Sequence, residues 1–224
     1  MSTGPKSRLL EEYALIARAL SAPARLAILE SLAQGERGVE ALAGKTGLSL
    51  ANASQHLQQL RRAGLVEGRR DGKAVIYRLT DDRTLALMGL IGTIAERNLA
   101  QVDRILRDLA DGRTPPEPVS RDELQDRLAR GAVLVLDLRP GDEFAAAHVP
   151  GARNVTLSEL TRIIPELDPE TEIVAYCRGP WCILAHEAVT ILRRHGLMAR
   201  RLEGGLPDWR AEGRAVTGVG QPAA

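Results

Sequence analysis

Two thiols are the first candidates for chemistry in this chain of 224 residues. Cys177 and Cys182 are its only cysteines, and five positions separate them. Cys177 directly follows the apolar run Glu172-Ile-Val-Ala-Tyr176. The segment Cys177-Arg178-Gly179-Pro180-Trp181-Cys182 then leads into a helical stretch beginning near Ile183. That order predicts a thiol at the carboxyl end of a strand, in a loop that opens onto a helix N-terminus. Backbone N–H groups and the helix dipole favour an anion there, so a thiolate is stabilised. Such a thiolate accepts a sulfane sulfur as a persulfide, and a second thiol within reach can resolve it, which is the layout of a redox or persulfide switch. In a reducing compartment, two neighbouring cysteines are more often chemical than a structural staple.

The other residues of this loop carry competing readings. Cys182 is either the resolving thiol or a small apolar residue that fills the helix start. Arg178, the only cation of the loop, either helps to hold the thiolate or points to solvent. Trp181 is placed at the mouth of the site. His186, four positions after Cys182, can share its helix face as a metal ligand. An ordinary, partly exposed histidine is the reading adopted, so no metal site and no cofactor are expected.

The elements that must position the thiols alternate in type. Strands are predicted at Val133–Asp137, Glu172–Tyr176 and Ala199–Leu202, with helices near 120–130, 157–164 and 183–195. Apolar strands alternating with helices predict a parallel sheet covered on both faces. The preceding part reads differently. Helices are predicted near 6–20, 23–34, 39–45 and 50–62, then a hairpin near 65–79, then one long helix over 82–110. Between the two parts, Asp111-Gly-Arg-Thr-Pro-Pro-Glu-Pro118 packs three prolines and a glycine into eight residues. Proline stops helices, so this is the predicted linker. The resulting division is residues 1–112, a linker at 113–118, and residues 119–218: a mainly-α domain followed by an α/β domain.

Charge divides at the same place. The whole chain is nearly neutral at +1, yet residues 1–112 sum to +3 and residues 113–224 to −2. Six basic side chains fall within 61–78 against Glu67 and Asp71. A basic stretch beside a helix is a nucleic-acid footprint in outline, although most charge runs are only solvated faces. No apolar run approaches the roughly 20 residues of a membrane helix, and the first residues lack a secretory signal, so a cytoplasmic protein without membrane contact is expected.

Within the basic part, residues 39–62 read as helix, tight turn, helix. Gly47 suits the turn, and Ser49 can cap the second helix. Ala53, Leu57 and Leu60 recur at helical spacing and should face the core. The opposite side offers Asn52, Ser54, Gln55, His56 and Gln59, then Arg61 and Arg62. Amides and hydroxyls read base edges, and arginines neutralise phosphates. Asp71-Gly72 between two extended runs signals a hairpin, whose tip and arms carry Arg69, Arg70 and Lys73. A basic hairpin after a helix–turn–helix is a wing. On the long helix, Met88, Ile91, Ala95, Asn98, Val102, Ile105 and Leu109 form one stripe, apolar except at Asn98. It packs either within its own monomer or against a second copy.

With these elements in order, Leu20-Ser-Ala-Pro-Ala-Arg through Leu79 resembles the ArsR/SmtB family of winged-helix repressors over roughly residues 10–110. The resemblance implies a homodimer, paired through its terminal helices, that binds double-stranded operator DNA and is released by a chemical signal; it thereby favours the stripe Met88, Ile91, Ala95, Asn98, Val102, Ile105 and Leu109 as the dimerisation seam. Many relatives sense metal through a cysteine in the helix before the turn, or through histidine and carboxylates on the last helix. Here Val39–Gly44 holds no cysteine and residues 82–110 no histidine. The signal therefore belongs to the second domain.

That domain resembles the rhodanese family over roughly residues 118–216. The resemblance rests on Asp137-Leu-Arg139 through Glu143-Phe144-Ala-Ala-Ala147-His148-Val-Pro150-Gly151-Ala152 and on Glu203-Gly204-Gly205-Leu-Pro-Asp-Trp209, with Ala147 where glycine is common. It implies that Cys177 is the sulfur carrier. The six-residue loop is similar to that of sulfurtransferases, being one residue shorter than in the related phosphatases. Cys182 replaces the arginine or hydroxyl residue often found at the sixth position, which argues against thiosulfate as donor. Asp137, Arg139, Glu143 and His148 are read as bracing residues, and Trp209 as core. Three functions stay open: a repressor that senses persulfide, polysulfide or another small sulfur species; an active thiosulfate or persulfide sulfurtransferase tethered to DNA; and a thiol-based repressor responsive to arsenite or metal.

Overall fold

The computed structural model describes residues 4–81, 83–110, 116–179 and 182–218. The chain divides into two compact units, Met1–Thr84 and Leu85–Ala224.

The first unit begins with helices α1 (Pro5–Leu20) and α2 (Pro23–Ala33). The short strand β1 (Arg37–Gly38) follows, then α3 (Val39–Thr46), α4 (Leu50–Arg62) and the hairpin β2 (Val66–Asp71) and β3 (Ala74–Leu79). Both α1 and α2 carry proline in their first turn, where its missing N–H costs nothing. Gly47 closes α3 in the left-handed region at φ 67°. Two residues later the Ser49 hydroxyl accepts from the Asn52 N–H at 3.2 Å and starts α4. One face of α4 is buried through Ala53, Leu57 and Leu60, against a core that includes Ile28, Leu29 and Leu42. Each fully buried leucine stabilises the unit by about 1.5–3 kcal/mol. Strands β2 and β3 pair antiparallel from Val66↔Leu79 to Asp71↔Ala74, so the two loop residues are Gly72 and Lys73, one position later than Asp71-Gly72. Gly72 supplies the required positive φ of 60°. Strand β1 adds to β3, making a three-stranded sheet.

Beyond the hairpin, the expected single helix is two: α5 (Arg83–Asn98) and α6 (Ala100–Leu109). Leu99 between them is extended at φ −107°, ψ 102°. Asparagine is a poor residue for a helix interior because its side chain competes for backbone groups. Here the Asn98 amide donates to Ile94 O at 2.9 Å. The stripe is consequently not one face. Met88 is buried, Ile91, Ala95, Val102 and Leu109 are half-buried, and Asn98 and Ile105 are exposed. Leu90, Ile94 and Leu99, outside the stripe, are exposed as well.

The rest of the second unit is the expected α/β arrangement. Its elements are α7 (Arg121–Ala129), β4 (Val133–Asp137), α8 (Gly141–Ala146), β5 (Arg153–Asn154), α9 (Leu157–Ile163), β6 (Glu172–Tyr176), α10 (Leu184–Arg194), β7 (Ala199–Arg201) and α11 (Leu206–Ala211). The sheet order is β5-β4-β6-β7, all parallel. Strand residues alternate between faces. Leu136, Ile173, Ala175 and Cys177 pack with α9 and α10, while Val135, Val174 and Tyr176 pack with Leu124 of α7 and Trp209 of α11. Leu202 lies just beyond β7 and bridges to Val119. Of the proline-rich segment, residues 111–115 lie outside the described ones. Among the described residues, no helix is long and apolar enough to cross a membrane.

Candidate functional sites

On α4 of the first unit, Ser49, Asn52, Gln55, Arg61 and Arg62 are exposed, and Ser54 is half-buried. Two neighbours on α4 differ from the sequence expectation. His56 Nδ1 is buried and has no hydrogen-bond partner among the described residues. Gln59 accepts from Arg25 Nη1 at 2.6 Å, so its amide oxygen is engaged within the protein. In the wing, Arg70 and Lys73 are exposed at the tip. Arg69 pairs with Glu36 at 2.9 Å and Arg78 with Glu67 at 2.6 Å. Exposed pairs of this kind contribute about 0–1 kcal/mol. A phosphate can therefore replace the carboxylate at small cost.

The cysteine loop is built from the ends of β4 and β6. Asp137, the last residue of β4, is fully buried and pairs with buried Arg139 at 2.6 Å. Tyr176, the last residue of β6, donates its phenol proton to Asp137 at 2.5 Å and accepts from the Val149 N–H at 3.0 Å. Burial and the adjacent Asp137 raise the phenol's pKa, so it remains a donor. Arg139 also donates to Ala147 O at 2.6 Å, and Asn154 donates to Asp137 O at 3.0 Å and Arg139 O at 2.8 Å. These bonds brace the strand that delivers Cys177. His148 stacks on Phe144, ring centroids 3.7 Å apart, and donates to its carbonyl. It too braces.

Cys177 is 1% exposed and belongs to the core cluster that also includes Ala185 and Ala188. It is joined to Cys182 by a disulfide, with Cα atoms 6.4 Å apart. The Cys182 N–H donates to Gly179 O at 3.1 Å, and α10 starts two residues later. Pro180 and Trp181, at the middle of the loop, lie outside the described residues. Arg178 is half-buried, and its Nε and Nη2 donate to buried Glu143 at 3.0 Å. Glu143 lies in the first turn of α8, a short helix that the apolar pattern did not reveal. On the other side, Gly205 lies so close that a Cβ there would be 2.5 Å from Gly179 N and 2.7 Å from Cys177 O. Only glycine fits, and the neighbouring Leu206 N–H donates to Cys177 O at 3.3 Å.

His186 is buried rather than partly exposed, because the first turn of α10 turns it inward. Burial first, and then nearby Arg201, lower its pKa from 6.5 to about 4. Among the described residues, no group of three or more histidine, cysteine or carboxylate side chains could hold a metal.

A helix–turn–helix with a basic hairpin, followed by a cysteine loop on a doubly covered parallel sheet, defines a winged-helix regulator with a rhodanese-type unit. Residues 22–68 match the family described as bacterial regulatory protein, arsR family, and residues 120–212 match the rhodanese-like domain. The HTH-type transcriptional regulator Rv0324 of Mycobacterium tuberculosis is 41% identical over 211 residues, covering 94% of this chain and 92% of that one. The chain belongs to the arsR family of transcriptional regulators, in the form that carries a rhodanese-like domain. It is similar also to a solved fragment of Mycobacterium bovis Mb0332, described as a homodimeric winged helix-turn-helix DNA-binding domain. The two share 41% identity over 44% of this chain and 92% of that one, with a TM-score of 0.41. A rhodanese-related protein from Thermoplasma volcanium is 24% identical over 46% of this chain and 98% of its own, with a TM-score of 0.40.

The buried imidazole gives the second unit a pH-dependent stability. Because the folded pKa of His186, about 4, is below its ordinary 6.5, the unfolded chain binds a proton that the folded chain refuses between these values. Stability is present above pH 6.5 and is lost as pH falls toward 4, by about 3 kcal/mol at about 1.4 kcal/mol per pKa unit. Urea unfolding followed by tryptophan fluorescence checks this, since both tryptophans lie in this unit. The parent should lose more stability from pH 7 to pH 4 than His186→Leu. Equal losses would place the titration elsewhere.

Proposed function

We propose that this regulator reads reactive sulfur at the Cys177 loop and changes its hold on operator DNA in response. The observation that carries the reading is the Cys177–Cys182 disulfide at the carboxyl end of β6, where a thiol at the start of a helix is activated. From the reduced dithiol, the Cys177 thiolate attacks the sulfane sulfur of a thiol persulfide. The donor S–S bond breaks, the donor thiolate leaves, and Cys177 carries a persulfide. The Cys182 thiolate then attacks the Cys177 sulfur, hydrosulfide leaves, and the disulfide forms. One persulfide and two thiols thus become one thiol, one hydrogen sulfide and the disulfide. The loop's only cation is bound to Glu143, which favours a persulfide or polysulfide over dianionic thiosulfate.

In this reading, residues 1–112 are the DNA-binding and dimerisation domain, 113–118 the linker and 119–218 the sulfur domain of a cytoplasmic homodimer. Asn52, Ser54 and Gln55 read base edges, with Ser49 at the helix start and His56 beside them. Arg61, Arg62, Arg69, Arg70 and Lys73 neutralise phosphates.

Three experiments test these assignments. Arg69→Ala with Arg70→Ala should weaken binding to any duplex and reduce the salt slope by about two, at about 0.9 per phosphate contact. An unchanged slope removes the wing from the interface. Leu90→Glu with Ile94→Glu, on the exposed apolar side of α5, should convert the dimer to a monomer in sedimentation. An unchanged dimer would put the interface on other residues. Finally, persulfide treatment of the reduced protein should join Cys177 to Cys182 by mass spectrometry and weaken operator binding about tenfold, within the usual range of allosteric coupling. Cys177→Ser should abolish both effects, while Cys182→Ser should load sulfur at Cys177 without crosslinking. A Cys177→Ser protein that still responds defeats the sensor reading. Steady turnover of thiosulfate with cyanide would favour the tethered enzyme, and release by arsenite alone the metal-responsive repressor.

A further inference from the structure

Arg25 lies in the first turn of α2, half-buried, and its guanidinium is shared among three helices of the first unit. Nε donates to Ala19 O at 2.6 Å and Nη2 to Arg18 O at 2.6 Å, both carbonyls of the last turn of α1. Nη2 is also 3.5 Å from Ser21 Oγ. Nη1 donates to Gln59 Oε1 at 2.6 Å, in the last turn of α4. One planar fork therefore ties the end of α1 to the helix whose exposed side carries Asn52 and Gln55.

The remaining contacts of α4 with the core are of a different kind. Ala53, Leu57 and Leu60 are fully buried and apolar. Apolar burial holds the helix down but has no direction, so it determines rotation and slide weakly. Hydrogen bonds from a rigid guanidinium are directional. A helix in a major groove reads bases only when its side chains meet the base edges at the right angle, whereas phosphate attraction tolerates many angles.

We propose that Arg25 is a positioning residue for operator specificity: through Gln59 it fixes the orientation of α4 relative to α1, and it is not itself a DNA contact. Its donors are directed at protein oxygens, so its charge is not presented as a phosphate ligand. This assignment rests on α4 being the base-reading helix, and is independent of the sulfur chemistry.

The test uses the full chain, an operator selected by the parent from random duplexes, and an unselected random duplex as the second probe. Arg25→Met should lose about tenfold in operator affinity, comparable to one mismatched base pair. Its affinity for the random duplex should stay within about twofold, with the parent's salt slope. Gln59→Met should lose as much. The double variant should be no worse than either single one, because both remove the same interaction. Arg25→Lys, with a point charge in place of the fork, should recover only part of the loss. Where Arg25→Met fails to fold, Gln59→Met carries the test, since it leaves the α1 contacts intact. Equal losses on both probes, or an unchanged operator affinity in Gln59→Met, overturn the proposal. A parent that selects no sequence overturns instead the assignment of α4 as the reading helix.

Discussion

Asp137 and Arg139 form an ion pair with essentially no solvent exposure, and the Cys177 loop depends on it. Burying two charges costs several kcal/mol per ion unless every lone pair and proton finds a partner. Here the partners are supplied by the phenol of Tyr176, the Arg139 backbone N–H and the Ala147 carbonyl. Satisfying the pair thus fixes the end of β4, the turn before Val149 and the end of β6 in one network. The next residue after Tyr176 is Cys177. Breaking such a network by removing one partner costs about 3–5 kcal/mol, because the other charge is left buried and alone.

Glu143 extends the same logic to the loop. Its carboxylate is buried on α8 and takes Arg178, so the cation beside Cys177 is paired within the protein. In the proposed reading, an anion in the loop would be stabilised by backbone N–H groups and the start of α10, which are fixed dipoles rather than mobile charges. The DNA-binding side has the opposite character. Its paired arginines, Arg69 and Arg78, are more than half exposed and can exchange one anion for another.

Much of this was legible in the sequence because the signals were local. Ser49 capping α4, Gly47 closing α3, the wing, and the strand that ends just before Cys177 all follow from neighbours a few residues apart. The features that were not legible are long-range or depend on a single backbone choice. The Arg25–Gln59 tie spans 34 positions and the Arg178–Glu143 bond 35. No periodicity announces either. The break at Leu99 arises inside a stretch whose apolar spacing continues through it, so the pattern predicted one helix where there are two. His186 shows a related difficulty, since spacing places it four residues after Cys182 but does not say that its ring is buried.

Strand alternation decides where the chemistry of the loop is felt. Ile173, Ala175 and Cys177 share one face of β6, and that face packs against α10. The Cys177 sulfur is therefore a member of a core that also holds Ala185 and Ala188. Interiors of this kind are close-packed, and an added atom forces side chains or backbone to move at a typical cost of 1–3 kcal/mol. In the proposed reading, a sulfur added to Cys177 is such an atom. Cys182, bonded to Cys177, lies two residues before α10. The same helix also holds α6: the Thr190 hydroxyl donates to Leu109 O at 3.0 Å, so in the proposed reading a change at Cys177 is felt first as a change of packing around α10.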